Sequence, residues 1–214
     1  MAEEKEPPPA AEPAAAPAAG GEAKPREAAP VKLAAADASG HPWVRSLSAG
    51  VPGSVVSAKE FAGQVTVVVP REKVAEVARH LKDKEDFRYC VDVTAVDWRK
   101  REPRFDVVYH FYSFSKNGRI RVKCGAADGE EVPSITSVYL AADWPERETW
   151  DMFGIRFAGH PDLRRILTWE GFHGHPLRKD FPVEGIDTGA AVYPEEWPEG
   201  AGPGPNDPNR KVVS

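Results

Sequence analysis

Residues 104–125 read RFDVVYHFYSFSKNGRIRVKCG, two β-rich arms joined by Ser-Lys-Asn-Gly. No other stretch restricts the fold as tightly. Asn117-Gly118 supplies the positive φ values of a tight turn, so the arms run antiparallel. On the second arm Ile120, Val122 and Cys124 share one face, and Arg119, Arg121 and Lys123 share the other. The first face belongs against a core; the second meets water or an acidic partner. A second hairpin is expected upstream, pairing SVVSA (54–58) with QVTVVV (64–69) across KEFAG.

Between them, PREKVAEVARHLKDKEDF (70–87) places Val74, Val77, Ala78 and Leu81 at i, i+3, i+4 and i+7, with Glu72, Lys73, Glu76, Arg79 and Lys82 on the other faces. That period predicts an amphipathic helix. RYCVDVTAVDW (88–98) adds a strand in which Val91, Val93 and Ala95 alternate with Asp92, Thr94 and Val96. PSITSVYLA (133–141) predicts a short helix capped by Ser134. DWPERETWDMFG (143–154) predicts a better-marked one, with Asp143 as N-cap, Glu146 as capping-box partner, Pro145 in the first turn and Gly154 just past the end. The order β-β-α-β-β-β-α-α predicts an α+β fold, a mostly antiparallel sheet flanked by helices.

The ends differ from this core. Residues 1–40 are rich in Ala, Pro and Glu with almost no large apolar side chain before Leu33, so they are expected to form a disordered tail. The polar opening MAEEKEPPP is not expected to act as a secretory signal or transit peptide. Residues 41–157 form the α+β core, 158–185 an extended irregular strip, and 186–214 a Pro/Gly-rich tail. Residues 1–40 carry 4 basic and 7 acidic side chains and residues 184–214 carry 2 and 6, so the tails hold −7 and leave the middle at +2 within the net charge of −5. The near-neutral middle argues against nucleic acid as a partner. No run approaches the roughly 18 apolar residues of a membrane span. The two cysteines, Cys90 and Cys124, fall in strand-like segments and cannot supply the four thiolates an iron–sulfur cluster ordinarily takes.

The strip and the helix before it carry the chemistry-bearing residues. GHPDLRR begins at Gly159 and GHPLRKD at Gly174. One reading builds a metallohydrolase from Glu148, Asp151, His160 and His175, but no HExxH pattern supports it. No Gly-x-Ser-x-Gly, no cysteine in a loop beside a histidine and no glycine-rich phosphate loop is present. The alternative is structural: Arg147 pairs with Asp151 at i,i+4, Glu146 caps, and Trp150, Met152 and Phe153 pack on the sheet. The strip, with Leu163, Ile166, Leu167, Trp169, Phe172, Leu177 and Phe181 on irregular backbone, is expected to lie on its own core or on a partner.

ERETWDMFGIRFAGHPDLRRILT followed by GFHGHPLRKDFPVEG resembles the 30 kDa (C) subunit family of proton-translocating NADH:quinone oxidoreductase, respiratory complex I. Glu146, Arg147, Glu148, Asp151, Met152, Phe153, Gly154, Phe157, Gly159, His160, Pro161, Asp162 and the run to Arg165 match its marker, as do residues 174–182. The chain departs from it at Trp169–His173. The resemblance implies a hydrophilic peripheral-arm subunit with no cofactor and no active site of its own. FMN, iron–sulfur clusters, NADH and quinone would belong to other subunits. It also implies packing on the hydrogenase-like D subunit and on other peripheral-arm subunits, and a peripheral location on the cytoplasmic face of the bacterial inner membrane, reached only through the complex. Arg164, Arg165, His175, Pro176, Leu177, Arg178, Lys179, Asp180 and Phe181 are the expected docking residues. The equivalent subunit of an F420H2- or ferredoxin-dependent quinone oxidoreductase, or of a membrane-bound hydrogenase, is the alternative.

Overall fold

A computed structural model of the chain describes residues 35–183. The expected tail over 186–214, and all but the last residues of the tail over 1–40, lie outside the described residues. The order is β1 (Ala36–Asp37), α1 (Pro42–Gly50), β2 (Ser57–Phe61), β3 (Gln64–Val68), a 3-10 turn (Arg71–Lys73), α2 (Val74–Asp83), β4 (Tyr89–Asp97), β5 (Phe105–Ser113), β6 (Gly118–Ala126), β7 (Val132–Pro133), a 3-10 turn (Leu140–Ala142), α3 (Asp143–Phe153) and β8 (Phe157–Ala158).

The expected hairpin is β5–β6, in register from Phe105↔Ala126 to Ser113↔Gly118, but its turn runs over residues 114–117: Asn117 takes a positive φ of 45°, whereas Gly118 does not and already pairs as the first residue of β6. It sits inside a six-stranded sheet of order β1-β2-β3-β6-β5-β4. All pairings are antiparallel except β3 with β6, which run parallel. β6 therefore closes the gap between the upstream hairpin and the β4–β5 pair. One sheet face is buried: Ile120, Val122 and Cys124 join Val65, Val67, Val93, Val107, Tyr109 and Phe111. Against them lie Val44 and Leu47 of α1, Val74, Val77, Ala78 and Leu81 of α2, and Met152 and Phe153 of α3. The other face, with Arg119, Arg121 and Lys123, carries no helix among the described residues.

Several local expectations are corrected. Ala36–Asp37 pairs with β2 and Ala38 is buried, so the chain joins the fold before residue 40. The helix α1 has no counterpart in the expected order; its proline lies in the first turn and only Val44 and Leu47 are buried on it, too few to register a period, with Trp43 packed edge-on to Phe87 beside them. The first hairpin turns at Ala62-Gly63 with Phe61 opposite Gln64, so its first arm is Ser57–Phe61, three residues beyond SVVSA. A bulge between Cys90 and Asp92 resets β4, leaving Val91 exposed and burying Cys90, Val93, Ala95 and Asp97. PSITSVYLA forms no α-helix; the Ile135 carbonyl accepts from the N–H groups of Val138 and Tyr139 in a tight turn.

Candidate functional site

α3 is the element on which the strip is built. Thr149 donates its hydroxyl to the Val93 carbonyl at 2.9 Å, fastening the helix to β4. Gly154 ends it at φ 79°, as its position predicts. The expected capping box does not form: Ala142 is the N-cap, without a side-chain bond, and Asp143 lies inside the first turn. Glu146 instead points into the core. Its carboxylate accepts from the Ser134 hydroxyl at 2.6 Å and the Ile135 N–H at 2.8 Å, pinning the 134–136 turn against the helix. Burial pushes its pKa up to about 7, against the lowering effect of those two bonds. The Arg147–Asp151 pair also does not form, because both side chains reach outward to the strip.

Asp151 is the first clasp. Its fully buried carboxylate accepts from the backbone N–H groups of Ile166, Leu167 and Thr168 at 3.1, 2.9 and 2.8 Å. It also accepts from the Thr168 hydroxyl, and from Arg165 at 2.6 Å. Burial opposes its ionisation, but the Thr168, Leu167 and Arg165 bonds prevail and hold the pKa at about 2. Arg165 continues to the Gly174 carbonyl at 3.2 Å, its guanidinium 5.7 Å from the ring centres of both Trp150 and Phe172. Arg147 donates to the carbonyls of Arg164 and Arg165 at 3.2 and 3.1 Å. One turn of the strip thus has both its donors and its acceptors satisfied from α3.

The two Gly-His-Pro turns hold opposite ends of that helix. His160 accepts from the Asp162 N–H on Nδ1, so Nε2 carries the proton and donates to the Asp143 carbonyl at 3.2 Å. His175 donates from Nδ1 to the Asp151 carbonyl at 2.9 Å, and Leu177 N–H donates to the Met152 carbonyl at 3.0 Å. The Asp151 and Met152 carbonyls lie in the last helical turn, where no intrahelical donor remains. A Cβ at Gly154 would meet the His175 ring at 2.7 Å, so glycine there serves the contact as well as the backbone.

The second clasp joins the strip to the β4–β5 turn. Arg104 grips buried Asp97 bidentately at 2.9 and 2.7 Å, and reaches Asp180 at 2.8 Å and Asp128 at 3.2 Å. Lys179 N–H and Arg99 N–H, each at 2.8 Å, complete Asp97. Its bonds with Arg104 hold the carboxyl well below the usual carboxylate range, against the cost of burial. Arg178 pairs with Asp128, and lies 5.4 Å from the Phe105 ring, which Arg104 approaches at 4.9 Å.

These contacts show what several of the expected docking residues bind within the chain. Arg165, His175, Arg178 and Asp180 spend their polar atoms inside the chain, while Lys179 contributes a backbone N–H. Arg164 pairs with Asp162 at 2.9 Å and remains exposed. Phe181 stacks on Phe172 at 6.0 Å; Pro161 is exposed, Pro176 is half-buried, and the exposed Gly159 turns at φ 81°. Asp97, Arg104 and Asp128 are additions to the expected set, since no sequence spacing relates residues 97 and 104 to 180. The metal reading loses its ligands to other bonds: Asp151, His160 and His175 are taken up by the strip and the helix ends, leaving Glu148 exposed without them. Among the described residues no group of three or more His, Cys, Asp or Glu is placed to hold a metal ion. No described helix is long and apolar enough to cross a membrane.

Residues 67–187 match the family model described as respiratory-chain NADH dehydrogenase, 30 Kd subunit. The C subunit of NADH-quinone oxidoreductase from Rhodobacter capsulatus is 56% identical over 136 residues, 63% of this chain and 68% of the relative. Its counterpart from Geobacter sulfurreducens is 47% identical over 136 residues, 63% of this chain and 84% of the relative. Among solved structures, a chain of the membrane-bound sulfane sulfur reductase, an archaeal respiratory membrane complex, superposes with a TM-score of 0.59 at 26% identity, covering 67% of this chain and 86% of that one. The clasped strip coincides with the most distinctive motifs, and with more than half the chain matched, the protein belongs to the 30 kDa (C) subunit family of respiratory NADH:quinone oxidoreductase, complex I.

Proposed function

We propose that the chain serves as the C subunit of a proton-translocating NADH:quinone oxidoreductase, at its peripheral arm on the cytoplasmic face of the membrane. In this role it docks on the D subunit and contributes binding surface rather than redox chemistry. FMN, the iron–sulfur clusters and quinone would then belong to neighbouring subunits, and this chain would support electron transfer by holding its partner in place.

The observation that carries the proposal is the way the strip is mounted. Asp151, Arg147 and His175 fasten it to α3 and Asp97 and Arg104 fasten it to the β4–β5 turn, so it is ordered on the core, yet Leu167, Trp169 and Leu177 stay exposed on it. A lone soluble chain gains nothing from fixing irregular backbone with apolar side chains outward; a docking subunit lowers the ordering cost of association. Relatives near half identity are named as subunits of the NADH-quinone enzyme, whereas the sulfane sulfur reductase chain is 26% identical, which favours NADH over other electron donors.

The test is to tag the full chain in its own cells and purify it from detergent-solubilised membranes. The expected result is stoichiometric recovery of the D subunit with NADH:quinone reductase activity. Recovery of the chain alone, with the D subunit elsewhere, would overturn the proposal.

A further inference from the structure

With Arg165 and Arg178 bonded within the chain, the exposed apolar side chains beside α3 offer a seat for a partner apart from the strip's basic run. Leu140, in the turn before α3, is 88% exposed, and Trp144, four residues on, is 69% exposed. Glu148 follows at the next i+4 position and is exposed too. These three form one stripe down the outer side of the helix. Facing them across a groove of about 730 Å³ are Ile166 and Leu167, the latter 63% exposed. The far wall is the segment whose backbone N–H groups end on Asp151. The groove therefore has apolar side chains on both walls, and its far wall is held in place by a buried ionic anchor that already bonds that wall's amides.

The rim fixes the charge of the occupant. Asp143 and Glu148 border the groove, and among the described residues neither is paired with an arginine or lysine. The basic side chain recorded near Asp143 is His160, whose Nε2 lies 3.6 Å from the carboxylate and 3.2 Å from the Asp143 carbonyl. Two carboxylates that meet no arginine or lysine, beside an exposed tryptophan, suit an apolar insertion flanked by a cation. They repel the negative surface of a membrane leaflet. A second copy related by two-fold symmetry would bring like carboxylates together.

We infer that this groove between the start of α3 and residues 166–167 is the seat for the partner subunit. Its occupant is a segment with an apolar side chain between the walls and an arginine or lysine opposite Glu148 and Asp143. The inference rests on the proposed docking to the D subunit and narrows it to a surface and a chemistry. It also gives the Asp151 clasp a purpose, since releasing residues 166–168 would dismantle one wall.

The test uses the tagged full chain in solubilised membranes with three variants: Trp144→Ala, Leu167→Ala and Glu148→Lys. Phe114→Ala, at an exposed aromatic on the β5–β6 turn, serves as control. The groove side chains make none of the clasp bonds, so unfolding midpoints should match the unaltered chain. Trp144→Ala is expected to reduce recovery of the D subunit about tenfold or more, as buried tryptophan anchors do. Glu148→Lys should lower it most strongly at low salt. Phe114→Ala should leave it unchanged. Undiminished recovery with all three groove variants, while the unaltered chain still brings the D subunit, would overturn the groove and leave the proposed function standing. No D subunit with the unaltered chain would overturn both. Binding of the purified chain to phosphatidylglycerol vesicles that Trp144→Ala abolishes, or a dimer that it dissolves, would assign the groove to a membrane or a second copy and refute the inference.

Discussion

Replacing Asp151 with asparagine removes the charge on which five donors converge: three backbone N–H groups, the Thr168 hydroxyl and Arg165. Asparagine keeps one oxygen but turns an NH2 toward groups that are themselves donors. Breaking one partner of a buried ion pair costs about 3–5 kcal/mol. Since about 1.4 kcal/mol corresponds to a factor of ten, opening of the 166–168 turn should rise about 100-fold or more. Amide hydrogen exchange on the full chain reads this directly. The amides of Ile166, Leu167 and Thr168 should lose protection by that factor, while Val107, in the middle of β5, should be affected far less. Unchanged exchange at the three amides would refute the assignment of Asp151 as the anchor. The pH dependence has a definite sign. With the folded pKa held at about 2, below the ordinary aspartate value, the anchor is at full strength above about pH 5 and weakens as pH falls from there toward 2.

Three further outcomes are expected. Arg104→Met leaves Asp97 buried without its partner and should destabilise by about 3–5 kcal/mol in urea unfolding at pH 7. The deficit should shrink as pH falls below about 4, where the unfolded aspartate protonates; a deficit independent of pH would count against the clasp. Glu146→Gln should gain on the unaltered chain as pH rises from about 5 to about 8. The folded carboxyl retains its proton to about pH 7 while the unfolded one has already ionised, a difference of roughly 3 kcal/mol. A constant stability difference across that range would contradict the burial argument. Gly154→Ala combines a positive φ with a collision against His175 and should lower the melting temperature by several degrees, or about 1–3 kcal/mol. An unchanged melting temperature would show that the ring moves aside freely.

The parts of the fold legible in the sequence are those governed by period and turn chemistry. The β5–β6 hairpin, the stripe of α2 and the glycine that ends α3 all follow from near neighbours. What escapes depends on distant partners. The Val91 bulge is invisible because every residue around it suits a strand. The helix α1 buries too few side chains to show a period. Glu146 reads as a cap because Thr149 and Asp151, three and five residues on, give no sign that the helix buries this side of itself. The site divides the same way. The motif residues stand out in the sequence, but the groups each one binds do not. Arg165 and Arg178 hold the strip to its own core, one of the two anchorages open to them in the sequence, while the outward Leu140 and Trp144 carry no sequence mark that sets them apart. Asp97 and Arg104 escape because their third partner, Asp180, is most of a domain away in sequence.

The docking role is tested most directly by a photo-cross-linking residue at position 167 of the full chain, irradiated within the intact solubilised complex. With Leu167 on the wall of an occupied groove, the expected product is a cross-link to the D subunit, and the same probe at position 114 should give none. Adducts confined to the chain itself, or equal labelling of the D subunit from both positions, would contradict the assignment.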